Sequence, residues 1–298
     1  MQITHNQHYV WRKYLKPWCT GTKNNFIWWN NHKIVNYTKS FDILREKDFY
    51  KYKPLNELEL FTVKKMFFET ENDTKKKMNQ YVEMITDIFG DEKRMSDDVR
   101  VEAGEMIQSE IEKNGSKYLD CILNDDIRFM LDDDKMTFLM FVLFQYFRTK
   151  AIRDKIILKM SNKSAKLIEL YKKEFDAKEE LSVDWGNIYN YGYIALINNV
   201  VTSLGPSIKI RILKSNKARF ITCDQPVFNL SNEYDKDVCF FYPLGPNHSI
   251  MLSNKFDDNE ILDINDSEVL KYNMEIIKHS HEFILGKEKV DVNFSYWK

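Results

Sequence analysis

Three separated stretches of this chain carry the residues best suited to polar chemistry. The run His5-Asn6-Gln7-His8-Tyr9-Val10-Trp11-Arg12-Lys13-Tyr14-Leu15 gathers two histidines, three aromatics and two cations near the chain start, where a domain is ordinarily poorly ordered. Gln145 and Arg148 lie three apart in a very apolar stretch, the spacing of neighbours on one helix face. Phe220-Ile221-Thr222-Cys223-Asp224-Gln225-Pro226-Val227 reads as a strand ending in an acidic turn. His8, Arg148 and Asp224 are therefore the candidate catalytic residues. Asp224 could orient His8 as a general base, as the carboxylate of a triad does, and Arg148 could grip a phosphate or carboxylate with its fork of donors. The same residues also suit a structural role, with Arg148 and Asp224 as a buried ion pair. An arginine on so apolar a helix needs some partner, because a lone buried charge costs several kcal/mol.

Tyr9, Arg12, Tyr14, Gln145 and His248 are the candidate substrate-binding residues around this set. His5 and His8, three apart, could join Asp224 around a divalent metal, although such spacing is often incidental. Glu69 and Glu71 offer no better carboxylate pair, since alternate residues on a helix point to different faces. His279 and His281 flank a helix end, where the dipole favours a cation. Established signatures are missing: there is no phosphate-cradling Gly-rich loop, dinucleotide fingerprint, nucleophile elbow or HExxH pair.

The bulk numbers narrow the field further. The chain has 298 residues and a formal net charge of -1, giving no global pull toward nucleic acid or an anionic membrane. Residues 1–54, however, hold ten Lys/Arg against three acids, and four of the six tryptophans. A basic, aromatic-rich segment suits phosphates and stacked bases; equally, its aromatics could fill a core while its lysines stay in water. The four cysteines form no CxxC pair, which argues against a zinc module or a disulfide framework. The longest apolar stretch, from Met136 to Phe147, is shorter than the ~20 residues a membrane helix needs. No apolar leader precedes His5, so a cytoplasmic protein with no membrane partner is expected.

Periodicity places these residues on elements. His8 to Lys16 reads as a short helix closed by Pro17. Residues 26–29 and 34–37, around Asn30-Asn31-His32-Lys33, read as a β-hairpin, since Asn tolerates positive φ. Tyr81, Met84, Ile85, Ile88 and Phe89 make a helical stripe that ends at Gly90. Ser96 caps a helix whose apolar residues run to Gly115, after which Ser116 caps another. Asp132-Asp133-Asp134 precedes a helix over 135–150 that is apolar nearly all round and so central. Helices follow over 163–175 and 185–204. Strands then take over at 207–213, 219–223, 238–242, 249–252 and 282–285, with one helix at 266–279 whose inward residues are Val269, Leu270, Asn273, Met274 and Ile277. The short Lys75-Lys76-Lys77 run reads as a solvated helix start. Runs of helices followed by runs of strands imply an α+β fold. It comprises an N-terminal β-hairpin, a helical middle and a C-terminal, mainly antiparallel sheet with one helix. The expected organisation is one composite domain over 1–298, with a basic aromatic segment (1–54), a helical part (55–205) and a β-rich part (206–298).

The chain resembles the bacterial family of unknown function DUF4238. The residues that carry the likeness are His8-Tyr9-Val10-Trp11-Arg12-Lys13-Tyr14-Leu15, Gln145-Tyr146-Phe147-Arg148-Thr149, Thr222-Cys223-Asp224-Gln225-Pro226-Val227 and Pro243-Leu244-Gly245-Pro246-Asn247-His248. Trp11 replaces the family's Pro, Cys223 its first Ser, Gln225 its Asn and Gly245 its second Ser, while His8, Arg148 and Asp224 are kept. The resemblance implies a cytoplasmic single-unit protein and a link to toxin or phage-defence settings. Two functions are thus expected. One is a nuclease-like enzyme acting on nucleic acid or another phosphorylated substrate. The other is a non-catalytic module that binds a protein or small ligand, with the His/Arg/Asp cluster as scaffold.

Overall fold

A computed structural model describes residues 5–68, 73–132, 134–176, 182–231 and 235–294. Glu69, Glu71, Asp133 and the Tyr81 side chain, all invoked above, lie outside the described residues, as do the side chains of the Lys75–Lys77 run. The fold is α+β, with the hairpin, helical middle and C-terminal sheet that the sequence leads one to expect.

The chain forms two compact units, and neither follows consecutive segments. One unit draws on Glu46–Glu110 and Ile152–Thr202, together with the segment through Gln7. It is helical, and its core packs Tyr52, Val82, Ile85, Phe89, Ile188 and Tyr191. Met84, placed in the apolar stripe by spacing, is instead about half exposed. Asn56 accepts from the Glu59 amide while Glu59 bonds back to the Asn56 amide, a capping box that starts the Glu57–Val63 helix.

The second unit comprises His8–Arg45, Ile111–Ala151 and Ser203 onward. Its two sheets explain why three distant segments belong together. In the four-stranded sheet, Val35–Lys39 pairs with Phe26–Asn30, which pairs with Ile284–Gly286, which pairs with Thr222–Cys223. The predicted hairpin is therefore half of a sheet completed by residues near the other end of the chain. Its positive φ falls on His32, while Asn31 Oδ1 accepts from the amides of Lys33 and Ile34. The five-stranded sheet runs Glu260–Asp263, Lys209–Lys214, His248–Ser253, Cys239–Gly245 and Phe228–Asn229. Only the Glu260–Asp263 edge is parallel to its neighbour.

Other local expectations need correction. His8 does not start a helix: it ends the strand Asn6–His8, and the helix spans only Arg12–Leu15, with Pro17 inside a following 3₁₀ turn. The helix expected to stop at Gly115 continues from Asp97 to Leu123. Gly115 is there for space, because a Cβ would fall 2.0 Å from the Phe141 ring. Ser116, expected as a cap, bonds to the Lys113 carbonyl inside that helix. The buried helix spans Asp134–Phe147, and the chain breaks at Arg148 and Thr149 before a new helix, Lys150–Ser161. On the Asp266–His279 helix, Val269, Asn273 and Ile276 are buried while Leu270 and Met274 face outward.

Gly115→Ala is expected to lower stability by about 1–3 kcal/mol, the usual cost of forcing atoms into a packed contact. Denaturant unfolding checks this, and unchanged stability would mean that the Asp97–Leu123 helix does not press on Phe141.

Candidate functional site

Arg148 is the most constrained candidate. It lies at the break after the Asp134–Phe147 helix, and its residue is only 4% exposed. One terminal nitrogen of its guanidinium bonds to the Glu112 carboxylate, and the other donates to the His8 main-chain oxygen at 2.6 Å. The guanidinium also lies 5.4 Å from the Phe144 ring. The anticipated partner exists, but it is Glu112 rather than Asp224. Burial pushes the Glu112 carboxyl up, and Arg148 pulls it back. Local geometry explains the pairing. Glu112 lies one turn before Gly115, and Arg148 lies two turns beyond Phe141, so close packing of Gly115 on Phe141 sets the two charges on neighbouring surfaces.

Asp224 is buried and committed elsewhere. Its Oδ1 accepts from the His281 amide at 2.8 Å, and its Oδ2 accepts from Glu282 and Phe283 at 2.6 and 3.1 Å. Burial raises its carboxyl, with these three amides opposing. This arrangement leads into the Ile284–Gly286 strand, so the acidic turn fixes a sheet rather than a histidine. Its neighbour Gln225 accepts from the Thr149 hydroxyl and donates to the Val227 carbonyl. His8 and Arg148 are thus brought together, and the hydrogen bonds of Asp224 go to neither.

His8 sits among cations. Its strand pairs with Arg45–Lys47, which brings Arg45 alongside, and Arg12 opens the helix four residues further on. Burial, then the charges of Arg12, Arg45 and Arg148, lower the imidazole from 6.5 to about 4, against a backbone hydrogen bond at Ile43. The Phe41 ring meets His8 edge-on at 5.9 Å. The guanidinium groups of Arg12 and Arg45 lie over Phe41 at 5.6 and 4.8 Å. Phe41 and Arg45 are not singled out by any motif, although both fall in the basic, aromatic-rich segment 1–54. The signal lay in the basic, aromatic character of residues 8–45, with seven Lys/Arg against the lone acid Asp42.

The remaining candidates divide by burial. Tyr9 and Tyr14 are core residues, which removes them from a substrate surface: the Tyr14 hydroxyl bonds to Thr222 Oγ1 at 2.6 Å, and its ring stacks on Tyr242. Gln145 is buried, and its side-chain nitrogen has no hydrogen-bond partner among the described residues. The buried Tyr242 hydroxyl, raised by burial and within the fields of Arg148 and Glu112, likewise has none. His248 begins a different strand, where burial and Lys214 lower it and Asp125 raises it. His279, placed at a helix end by sequence, stacks on Phe228 at 4.4 Å.

The metal expectation is not met. His5 Nδ1 pairs with Asp48 at 2.7 Å, and Asp224 is occupied by amides. No group of three His, Cys, Asp or Glu able to hold a metal exists among the described residues. Nor, among those residues, is any helix long and apolar enough to cross a membrane.

A family model described as "Protein of unknown function (DUF4238)" matches residues 6–290. The chain belongs to this family. No curated protein and no solved structure matches it. The matched span of this DUF4238 member contains His8, Arg148, Asp224 and the whole Arg12–Phe41–Arg45 cluster. At the family-variant positions, Gln225 bonds to Thr149 as described, and Gly245 lies where a Cβ would come within 3.2 Å of Pro17.

Two measurements test this DUF4238 site. Glu112→Ala strands a buried guanidinium and should cost roughly 3–5 kcal/mol of stability, whereas Glu112→Leu combined with Arg148→Met should recover most of the loss; calorimetry distinguishes them. NMR titration of His8 should give a midpoint near pH 4. The unfolded chain takes up this proton near 6.5 and the folded chain does not, so stability should fall as pH drops from 6.5 toward 4. His8→Gln should flatten that slope.

Proposed function

We propose that this protein acts on a phosphorylated substrate, as a nuclease-like enzyme working at His8 with Arg12 and Arg45. The observation that carries this reading is an imidazole whose ring nitrogens are buried beside three guanidinium groups, burial first and those charges second lowering it from 6.5 to about 4. An anion there gains from Arg12 and from Arg45, which it must share with Asp42. Arg12 and Arg45, which reach solvent, are the phosphate ligands; Arg148, spent on Glu112 and the His8 carbonyl, is a positioning residue.

The same field supplies a way of switching on the base. A bound phosphate offsets the guanidinium charges and raises the proton affinity of His8. Both ring nitrogens are buried in this structure, so substrate binding must also open a path to one of them before the imidazole takes a proton from an attacking water or hydroxyl. Substrate thereby prepares its own base, and free enzyme keeps a weak one. A toxin or phage-defence effector in the cytoplasm is the setting this reading proposes. A non-catalytic ligand-binding module is the competing one, favoured by how completely Asp224 and Arg148 are satisfied inside the protein.

The test is a cleavage screen on RNA, tRNA, single-stranded DNA and duplex DNA, each with Mg²⁺, Mn²⁺ or EDTA. Wild type should cleave at least one, and a His8→Gln protein that melts normally should be slower by roughly a hundredfold, the scale of lost acid–base catalysis. Inorganic phosphate should also move the His8 NMR midpoint upward. Silence in every lane with a shifted His8 would select the binding module. An unmoved His8 would remove the phosphate site itself.

A further inference from the structure

The hairpin beside His8 carries a row of rings that the phosphate site alone does not use. Trp28 and Tyr37 face each other across the two strands at 4.8 Å, and Phe26 stacks on Tyr37 at 5.2 Å. All three are partly exposed, while the inner side of Trp28 packs against the core and the Tyr37 hydroxyl bonds to Thr20 at 3.0 Å. Lys39 stands opposite Phe26 in the register, and Lys289 lies 5.9 Å over Trp28 at the far end. The Ser40 amide, one residue beyond Lys39, donates to the Asn25 carbonyl at 2.7 Å and keeps the chain on the same line. Phe41 comes next, 50% exposed between the guanidinium groups of Arg12 and Arg45. Along the chain, these rings and cations lead from Trp28 through Lys39 to Phe41, whose ring meets His8.

Most of the charges in this segment are uncompensated, Arg45 being the exception. Lys13, Lys23, Lys33 and Lys39 make no ion pair among the described residues, and Asp42, the single acid of residues 8–45, is held by Arg45 at 3.2 Å. Isolated exposed rings need no explanation, but rings interleaved with unpaired cations have a specific complement. A polymer with one negative charge per unit and one flat face per unit matches both repeats. A duplex offers the charge without the faces, which are stacked inside it.

We infer that the strip Trp28–Tyr37–Phe26–Lys39–Phe41 is a binding track for single-stranded nucleic acid that delivers the strand to His8. This rests on the proposed phosphate site and names its substrate class. Strand phosphates lie along Lys39, Arg12 and Arg45, and unstacked bases meet the rings.

Fluorescence anisotropy with labelled dT and rU 20-mers, and with the same label on a duplex, tests it without requiring turnover. Either single strand should bind, and affinity should fall roughly tenfold or more between 50 and 200 mM salt if about three phosphates are contacted. Phe41→Ala should weaken binding about fivefold or more, the cost of one lost stacking contact, and Lys39→Gln should reduce the salt dependence. Lys271→Gln, on the Asp266–His279 helix, should change nothing. Three results would overturn the track: no single-strand binding by folded protein at low salt, equal or tighter binding of the duplex, or full affinity in Phe41→Ala. If inorganic phosphate still moved the His8 midpoint in any of these cases, the phosphate site would stand without the track; if it did not, both would fall together.

Discussion

A guanidinium enclosed by protein cannot be left without an anion, and much of the second unit is arranged around satisfying Arg148. Its fork reaches a carboxylate on the Asp97–Leu123 helix and a main-chain oxygen at the end of the first strand, while the next residue, Thr149, bonds to Gln225 beside Asp224. Three parts of the chain that sequence distance would keep independent are held by one charge and its neighbour. Buried pairs of this kind add little net stability compared with apolar packing of the same volume. What this one supplies is placement: the His8 main chain has a fixed partner, so its ring is presented in one position to Arg12 and Arg45.

Long periodic segments were readable from sequence because their pattern and their burial agree. The Trp185–Leu204 and Asp266–His279 helices end where Gly-Pro and the helix caps say they should. The failures share a cause, which is that tertiary contacts override a local signal. Gly115 resembles a stop signal in one dimension, whereas in three it is a gap for the Phe141 ring. His8 has a helical-looking neighbourhood, yet it pairs as a strand because Arg45–Lys47 is available, and nothing within eleven residues announces that partner. Leu270 and Met274 obey helical spacing on the Asp266–His279 helix but fall on its outer face.

At the site, residue types were more legible than pairings. The need of Arg148 for a counter-charge follows from its apolar surroundings, while the identity of that counter-charge depends on how two helices pack. Asp224 is the clearest example. A carboxylate after a strand looks like a catalytic group, and here it gathers three consecutive amides at the entrance to another strand. Phe41 and Arg45 were legible only as members of the basic, aromatic segment 1–54, because no motif includes them individually.

The pairing of Ile284–Gly286 between Phe26–Asn30 and Thr222–Cys223 has a consequence for biosynthesis. Translation delivers the early hairpin first, and its inner strand then waits for more than 250 further residues before its neighbour exists. Through that interval an aromatic strand with unbonded amides and carbonyls stays open to any passing edge. Non-local pairing of this span also slows folding after release. The excess of cations in residues 8–45 repels a second copy and so works against edge-to-edge pairing of emerging chains.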